Sequence, residues 1–156
     1  MVQGYVKPTN QIIMDVEGLV THEYTVGAAA TPAKMLPGTA VIYDSVDYAV
    51  KEAGAEADNF LGILDVAAGK LRTTAYAVGD QVRVIERGKC LARVPAGGTA
   101  ITPGMPLVTA ADGLLEAQAV GLIGDQGAPA AYALESDTHV AESLVLVELT
   151  GQREAA

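Results

Sequence analysis

Short apolar runs recur along this chain, each bounded by Gly, Pro or Asp, and few are long enough for a helix. Thr39-Ala40-Val41-Ile42-Tyr43 is β-branched and aromatic and follows a Pro37-Gly38 turn, so it reads as a strand. Tyr48 to Val50 returns after a loop around Ser45-Val46-Asp47. Phe60-Leu61-Gly62-Ile63-Leu64 has the length and apolarity of a buried strand. Val82-Arg83-Val84 alternates in and out, and Arg87-Gly88 is expected to turn the chain into Cys90-Leu91-Ala92-Arg93-Val94. Leu107-Val108-Thr109 and Leu114-Leu115 flank Asp112-Gly113, a hairpin signal because both residues tolerate positive φ. Leu144-Val145-Leu146-Val147-Glu148-Leu149 is apolar on both faces, which predicts a central strand covered on both sides.

Helical signal is confined to two single turns, Thr31 to Met35 and Ala53 to Asn59, each short of the roughly 12 residues an independent helix needs. The pattern therefore predicts an all-β fold, a small β-barrel or β-sandwich built of short hairpins. Residues 1–20 read as an extended N-terminal arm, with Pro8, Thr9 and Asn10 breaking any early element. Residues 21–150 read as one domain, and residues 151–156 as a disordered or extended tail.

An internal repeat supports this plan. Pro37-Gly38-Thr39-Ala40-Val41 aligns with Pro103-Gly104-Met105-Pro106-Leu107, placing Ile42 on Val108, Tyr48 on Leu114 and Ala53 on Ala119. Gly62-Ile63-Leu64 and Gly121-Leu122-Ile123 follow their respective copies, and Tyr-x-Val-Gly occurs at Tyr24 to Gly27 and at Tyr76 to Gly79. Two copies are too few for a solenoid but suit a barrel of two related hairpin modules.

Composition sharpens the picture. Half of the 156 residues are apolar, yet there is one Phe, no Trp and seventeen Gly, so the core must be built from Val, Leu, Ile and Ala. The net charge of −9 argues against nucleic acid, which demands a basic footprint, and against an anionic membrane surface. No apolar run approaches the roughly 20 residues of a membrane span, and residues 1–7 do not read as a signal peptide. The charge is uneven. Residues 70–93 hold Lys70, Arg72, Arg83, Arg87, Lys89 and Arg93 against Asp80 and Glu86, a net +4, and leave −13 elsewhere. This window is either a solvated hairpin or a contact surface steering an acidic partner.

Candidate chemistry is sparse. His22 and His139 stand far apart in sequence without a zinc-site pattern, and Cys90 is the single cysteine. Cys90 shares the parity of Ala92 and Val94, which predicts a core position, although Lys89 and Arg93 beside it would lower a thiol pKa. Ser136-Asp137-Thr138-His139 contains the triad residue types but reads as a polar turn, since a triad converges across a fold. Asp44 and Asp47 flank a turn with too few oxygen ligands for a Ca²⁺ loop. Gly121 to Gly124 lacks the frame of a phosphate-binding loop. No catalytic residue, metal or cofactor is assigned. Function is expected in surfaces.

One succession of motifs resembles a known family. Tyr76-Ala77-Val78-Gly79-Asp80-Gln81-Val82, then Gly88-Lys89-Cys90, Val94-Pro95-Ala96-Gly97-Gly98, Pro103 to Leu107, Asp112-Gly113-Leu114, Gly121 to Gly124 and Ala131-Tyr132-Ala133-Leu134-Glu135 precede the closing strand. This cadence, over residues 36–150, is similar to that of the capsid decoration, or cement, proteins of tailed bacteriophages. The resemblance implies a non-enzymatic protein, made in the host cytoplasm, on the outer surface of the capsid in the virion. Its partners would be the major capsid protein, whose neighbouring subunits it bridges, and copies of itself in a dimer or trimer. The expected contacts are Tyr5, Val6, Lys7, Ile12 and Ile13 of the arm and Arg83, Arg87 and Lys89 of the basic window. The competing expectations are a small β-barrel enzyme or ligand-binding module with an acidic site, and another virion component such as a head-fibre base or tail module.

Overall fold

The turns dictate which strands meet. The computed structural model describes residues 10–54, 59–68, 70–118, 129–138 and 141–150. Nine strands follow in chain order: β1 (Ile13–Val26), β2 (Ala40–Tyr43), β3 (Ala49–Glu52), β4 (Phe60–Leu64), β5 (Gln81–Val94), β6 (Pro106–Thr109), β7 (Leu115–Ala117), β8 (Ala131–Ala133) and β9 (Ser143–Leu149). Helix among the described residues is limited to two single turns, Pro32–Lys34 and Ala111–Gly113. The first lies inside the turn expected from Thr31 to Met35. Of the second expected turn, Ala53 and Gly54 are not helical, and residues 55–58 lie outside the described residues.

The strands form one sheet in the order β1-β3-β2-β4-β5-β9-β8-β6-β7, and β1 pairs also with β5. That extra pairing closes β1, β3, β2, β4 and β5 into a ring. The other four strands extend from β5 as a wing. The class is all-β, as expected, with a barrel-like ring at its centre.

The repeat in the sequence is a repeat in space. β2 and β3 begin at residues 40 and 49, and β6 and β7 begin 66 positions later, at residues 106 and 115. Each hairpin then pairs its first strand with a further strand: β2 with β4, and β6 with β8. β4 pairs with β5 and β8 with β9, and β5 joins β9 antiparallel. The two modules thus meet along β5 and β9. In the ladders, Ala40 faces Ile63 and Pro106 faces Tyr132, so β4 corresponds to Ala131–Ala133. Gly121 to Ile123, taken from the sequence as its counterpart, lie outside the described residues. The two Tyr-x-Val-Gly segments also meet, since Gly79 N–H donates to the Val26 carbonyl at 2.9 Å.

Buried side chains gather in two clusters. Ring residues Tyr24, Val26, Val41, Val50, Leu64 and Val84 pack with Met35 and Tyr76 in one. Leu91, Leu107, Leu115, Ala131 and Val147 of β5 and the wing pack with Ala40, Ile63 and Ile85 in the other. Neighbours such as Ile63 and Leu64 therefore enter different clusters, and β4 is buried on both faces. That explains its uninterrupted apolar run. It also explains Gly62, where an added Cβ would lie 2.2 Å from the Ile85 carbonyl oxygen.

Two expectations are corrected. Arg87-Gly88 does not reverse the chain. β5 runs unbroken through it, and Gly88, at φ 121°, makes an irregularity in the ladder with β1. β1 has its own left-handed residue, Gly18 at φ 70°, near the same register shift. Facing irregularities let two 14-residue strands bend together, so a glycine that resembles a turn is a bulge. The second correction concerns β9. It is central, between β5 and β8, but only Val145, Val147 and Leu149 are buried. On its other face Leu144 and Leu146 are half-buried and Glu148 is exposed, so that side is covered only in part.

Candidate interaction surface

The basic window is not a hairpin but a loop leading into β5, and three of its six basic residues face carboxylates. Arg83 Nη1 lies 3.7 Å from Asp65 Oδ2, and Lys89 Nζ lies 4.0 Å from Asp15 Oδ2 on β1. Arg93 faces Glu142 at 3.5 Å and donates to the carbonyls of Pro37 and Arg72 at 2.9 and 2.8 Å. These three carboxylates all lie outside the window. Ile85, between Arg83 and Arg87, is fully buried, which separates them along the strand. Arg87 is exposed and has no ion pair within 4 Å among the described residues.

Of the expected arm contacts, Tyr5, Val6 and Lys7 lie outside the described residues. Ile12 is fully buried in the larger cluster, and its carbonyl accepts from Leu91 N–H at 2.9 Å. Ile13 is half-buried against the same cluster and opposes Cys90. Residues 13–20 form the first half of β1.

A second surface escaped the reading of the sequence. At one side of the ring, Tyr24 O–H donates to Glu86 Oε2 at 2.9 Å, and His22 Nδ1 lies 2.6 Å from the same oxygen. Tyr24 also hydrogen-bonds Tyr43, and their rings meet edge to face with centroids 5.9 Å apart. Burial, followed by the hydrogen bonds to Tyr43 and Glu86, pushes the Tyr24 phenol well above its ordinary range, so it stays a neutral donor. Tyr24 and Tyr43 of this network line an open cleft of about 540 Å³ together with the loop Asp44 to Tyr48. Tyr48 is 74% exposed and Val46 66% exposed. Tyr48 has φ 60°, a left-handed conformation that costs a side-chain-bearing residue about 1 kcal/mol or more. The rim carries Asp44 and Asp47. Asp44 accepts from the N–H groups of Ser45 and Ala29, and these bonds hold its carboxyl below the usual range. The signal in the sequence was Tyr43-Asp44-x-x-Asp47-Tyr48, which places two of the chain's six tyrosines beside two carboxylates.

The remaining candidates do not assemble. Cys90 is fully buried, and burial pushes its thiol far above its ordinary range, so Lys89 and Arg93 do not activate it. His139 lies outside the described residues, and Asp137 instead bridges Ile101 through its backbone while accepting from Ser143 Oγ at 3.0 Å. No group of three His, Cys, Asp or Glu side chains gathers as a metal site among the described residues. No helix there is long and apolar enough to cross a membrane.

The model of the XM1 gp53 minor capsid protein family matches residues 2–150. The chain belongs to that family. The match takes in residues 2–35, which the decoration-protein resemblance left out. This XM1 gp53-family chain is therefore a phage capsid-associated structural protein, and its place is in the virion. Its fold is also found in the crystal structure of the head fiber gp8.5 N base in bacteriophage phi29. That likeness has a TM-score of 0.50 at 15% identity and covers 88% of this chain and 99% of the other. No curated protein matches.

Proposed function

We propose that this chain is a decoration protein, which binds the outer surface of the icosahedral head and stabilises it by bridging neighbouring major capsid protein subunits. The observation that carries the reading is the family match over residues 2–150. The architecture supports it. The ring and wing enclose packed Val, Leu, Ile and Ala side chains, which leaves the surface for binding and favours a role without catalysis. Association as a dimer or trimer would multiply individually weak contacts by avidity. The proposed contacts are Tyr5, Val6 and Lys7 with Arg83, Arg87 and Lys89, whose exposed guanidinium and ammonium groups would exchange intramolecular carboxylates for those of the capsid.

The test is addition of purified protein to heads assembled without it, followed by sedimentation and counting of copies per shell. Binding at a fixed stoichiometry is expected. Deletion of residues 1–9 is the informative truncation, because removing residues 1–14 would also remove buried Ile12. Retention of full binding by the shorter chain would eliminate the arm as a contact.

A second reading, a head-fibre base, is favoured by the likeness to the phi29 fibre base. Electron micrographs of decorated heads separate the two. A decoration protein lies flat between subunits, whereas a fibre base carries a projecting density.

A further inference from the structure

We propose that the cleft beside the β2–β3 loop is a receptor for an arginine side chain presented by a partner protein. It takes no support from the decoration reading, and rests on the chemistry of the cleft. Tyr43, in edge-to-face contact with Tyr24, and the exposed Tyr48 bring aromatic rings to the cleft lining. A guanidinium is planar and weakly hydrated and stacks on such faces. Asp44 and Asp47 at the rim complement its charge. Asp44 is fixed in place, because its Oδ1 accepts from Ser45 N–H at 2.6 Å and its Oδ2 from Ala29 N–H at 3.1 Å, while Asp47 is exposed.

Other occupants fit less well. An apolar side chain would cover the Asp47 carboxylate without answering its charge. A phosphate or a carboxylate would meet like charge at the rim. Lysine matches the charge but lacks the flat face and the fork of donors that reach two acceptors at once. The backbone points the same way. Asn or Gly would relax the left-handed φ of residue 48, yet a tyrosine stands there with its ring in solvent.

The experiment is an NMR titration of the full chain with the peptide acetyl-Gly-Arg-Gly-amide. Its controls contain citrulline, the neutral isostere, or lysine. The proposal expects saturable shifts confined to Tyr43, Tyr48 and Val46, no response to citrulline and a weaker one to lysine. Tyr48→Asn, which suits the positive φ and keeps the fold, should weaken binding about fivefold. Asp47→Asn should weaken it further in combination. Tyr132→Ala, at an exposed tyrosine on β8, should change nothing. Equal response to citrulline, or shifts unaffected by Tyr48→Asn, would overturn the proposal. So would concentration-dependent shifts of the same residues without peptide, which would put a second copy in the cleft.

Discussion

The module of β2 to β5 and the module of β6 to β9 repeat one strand order, but only the first is closed. The closure comes from β1, which pairs parallel with β3 through Thr25 and Val26 and antiparallel with β5. Without β1, β3 would be the edge strand that β7 is among the described pairings. The same hairpin plan thus yields a closed ring or an open wing, depending on one added strand, and the wing's β6–β7 turn folds back on the ring, where Gly113 N–H donates to the Ala53 carbonyl at 2.8 Å. The residues follow the difference. Where the ladders correspond, the ring has Gly62, Leu64 and Asp65, and the wing has Ala131, Ala133 and Leu134. A strand buried on both faces needs a glycine at its closest approach and large side chains beyond it. A strand covered on one face does well with alanine.

The largest expected effects test whether the two clusters fold together. Leu64→Ala empties the ring interior and Leu107→Ala empties the wing, and each should cost about 2–5 kcal/mol. Because adjacent Val84 and Ile85 of β5 enter different clusters, both variants should lower the midpoint of one shared urea transition. A separate early transition in Leu107→Ala alone would show that the wing melts independently, and would break the comparison into two units.

A smaller pair sharpens it at one ladder position. Gly62→Ala drives a methyl to within 2.2 Å of the Ile85 carbonyl, a backbone atom that cannot step aside. The overpacking should cost about 3 kcal/mol, the upper part of the usual range. Ala131→Gly, its counterpart, should cost about 1 kcal/mol through lost methyl burial and a looser chain. Thermal denaturation of the two variants measures both. Similar losses would mean that β4 and β8 sit in equivalent surroundings.

Much of this plan was legible in the sequence because it depends on local chemistry. The Pro-Gly turns and the Asp-Gly hairpin set the spacing, and Asp112 and Gly113 do adopt positive φ. The offset of 66 between copies became the offset between β2 and β6. What stayed hidden depends on partners distant in the chain. Arg87-Gly88 has turn composition, and only its pairing with β1 makes it a bulge. The charge of residues 70–93 looked unbalanced because Asp15, Asp65 and Glu142, which answer it, lie elsewhere in sequence. The cleft depends on Tyr24, Tyr43 and Glu86, from three different strands. Periodicity reveals which face a residue takes, not which other strand that face will meet.

The smallest effects concern two aspartates of the closed module that respond to pH with opposite sign. Asp65 is largely buried after β4, and burial raises its carboxyl above the ordinary value, more than the Val66 N–H and Arg83 lower it. Between its unfolded and folded values the native state holds a proton that the unfolded chain has released. Stability from this group is therefore full below the unfolded value and falls as pH rises through the folded one. Asp44 is the reverse case. Its carboxyl is held down by the N–H groups of Ser45 and Ala29, so its contribution is present above the unfolded value and is lost as pH falls through the folded one. Urea unfolding across the acidic range should separate them. Asp65→Asn should gain on the native chain as pH rises, whereas Asp44→Asn should lose ground over the same rise. The wing places Leu134 where the ring has Asp65, so it carries no equivalent cost. If Asp65→Asn instead lost stability with rising pH, Arg83 at 3.7 Å would outweigh desolvation, and closing the ring would cost this site nothing.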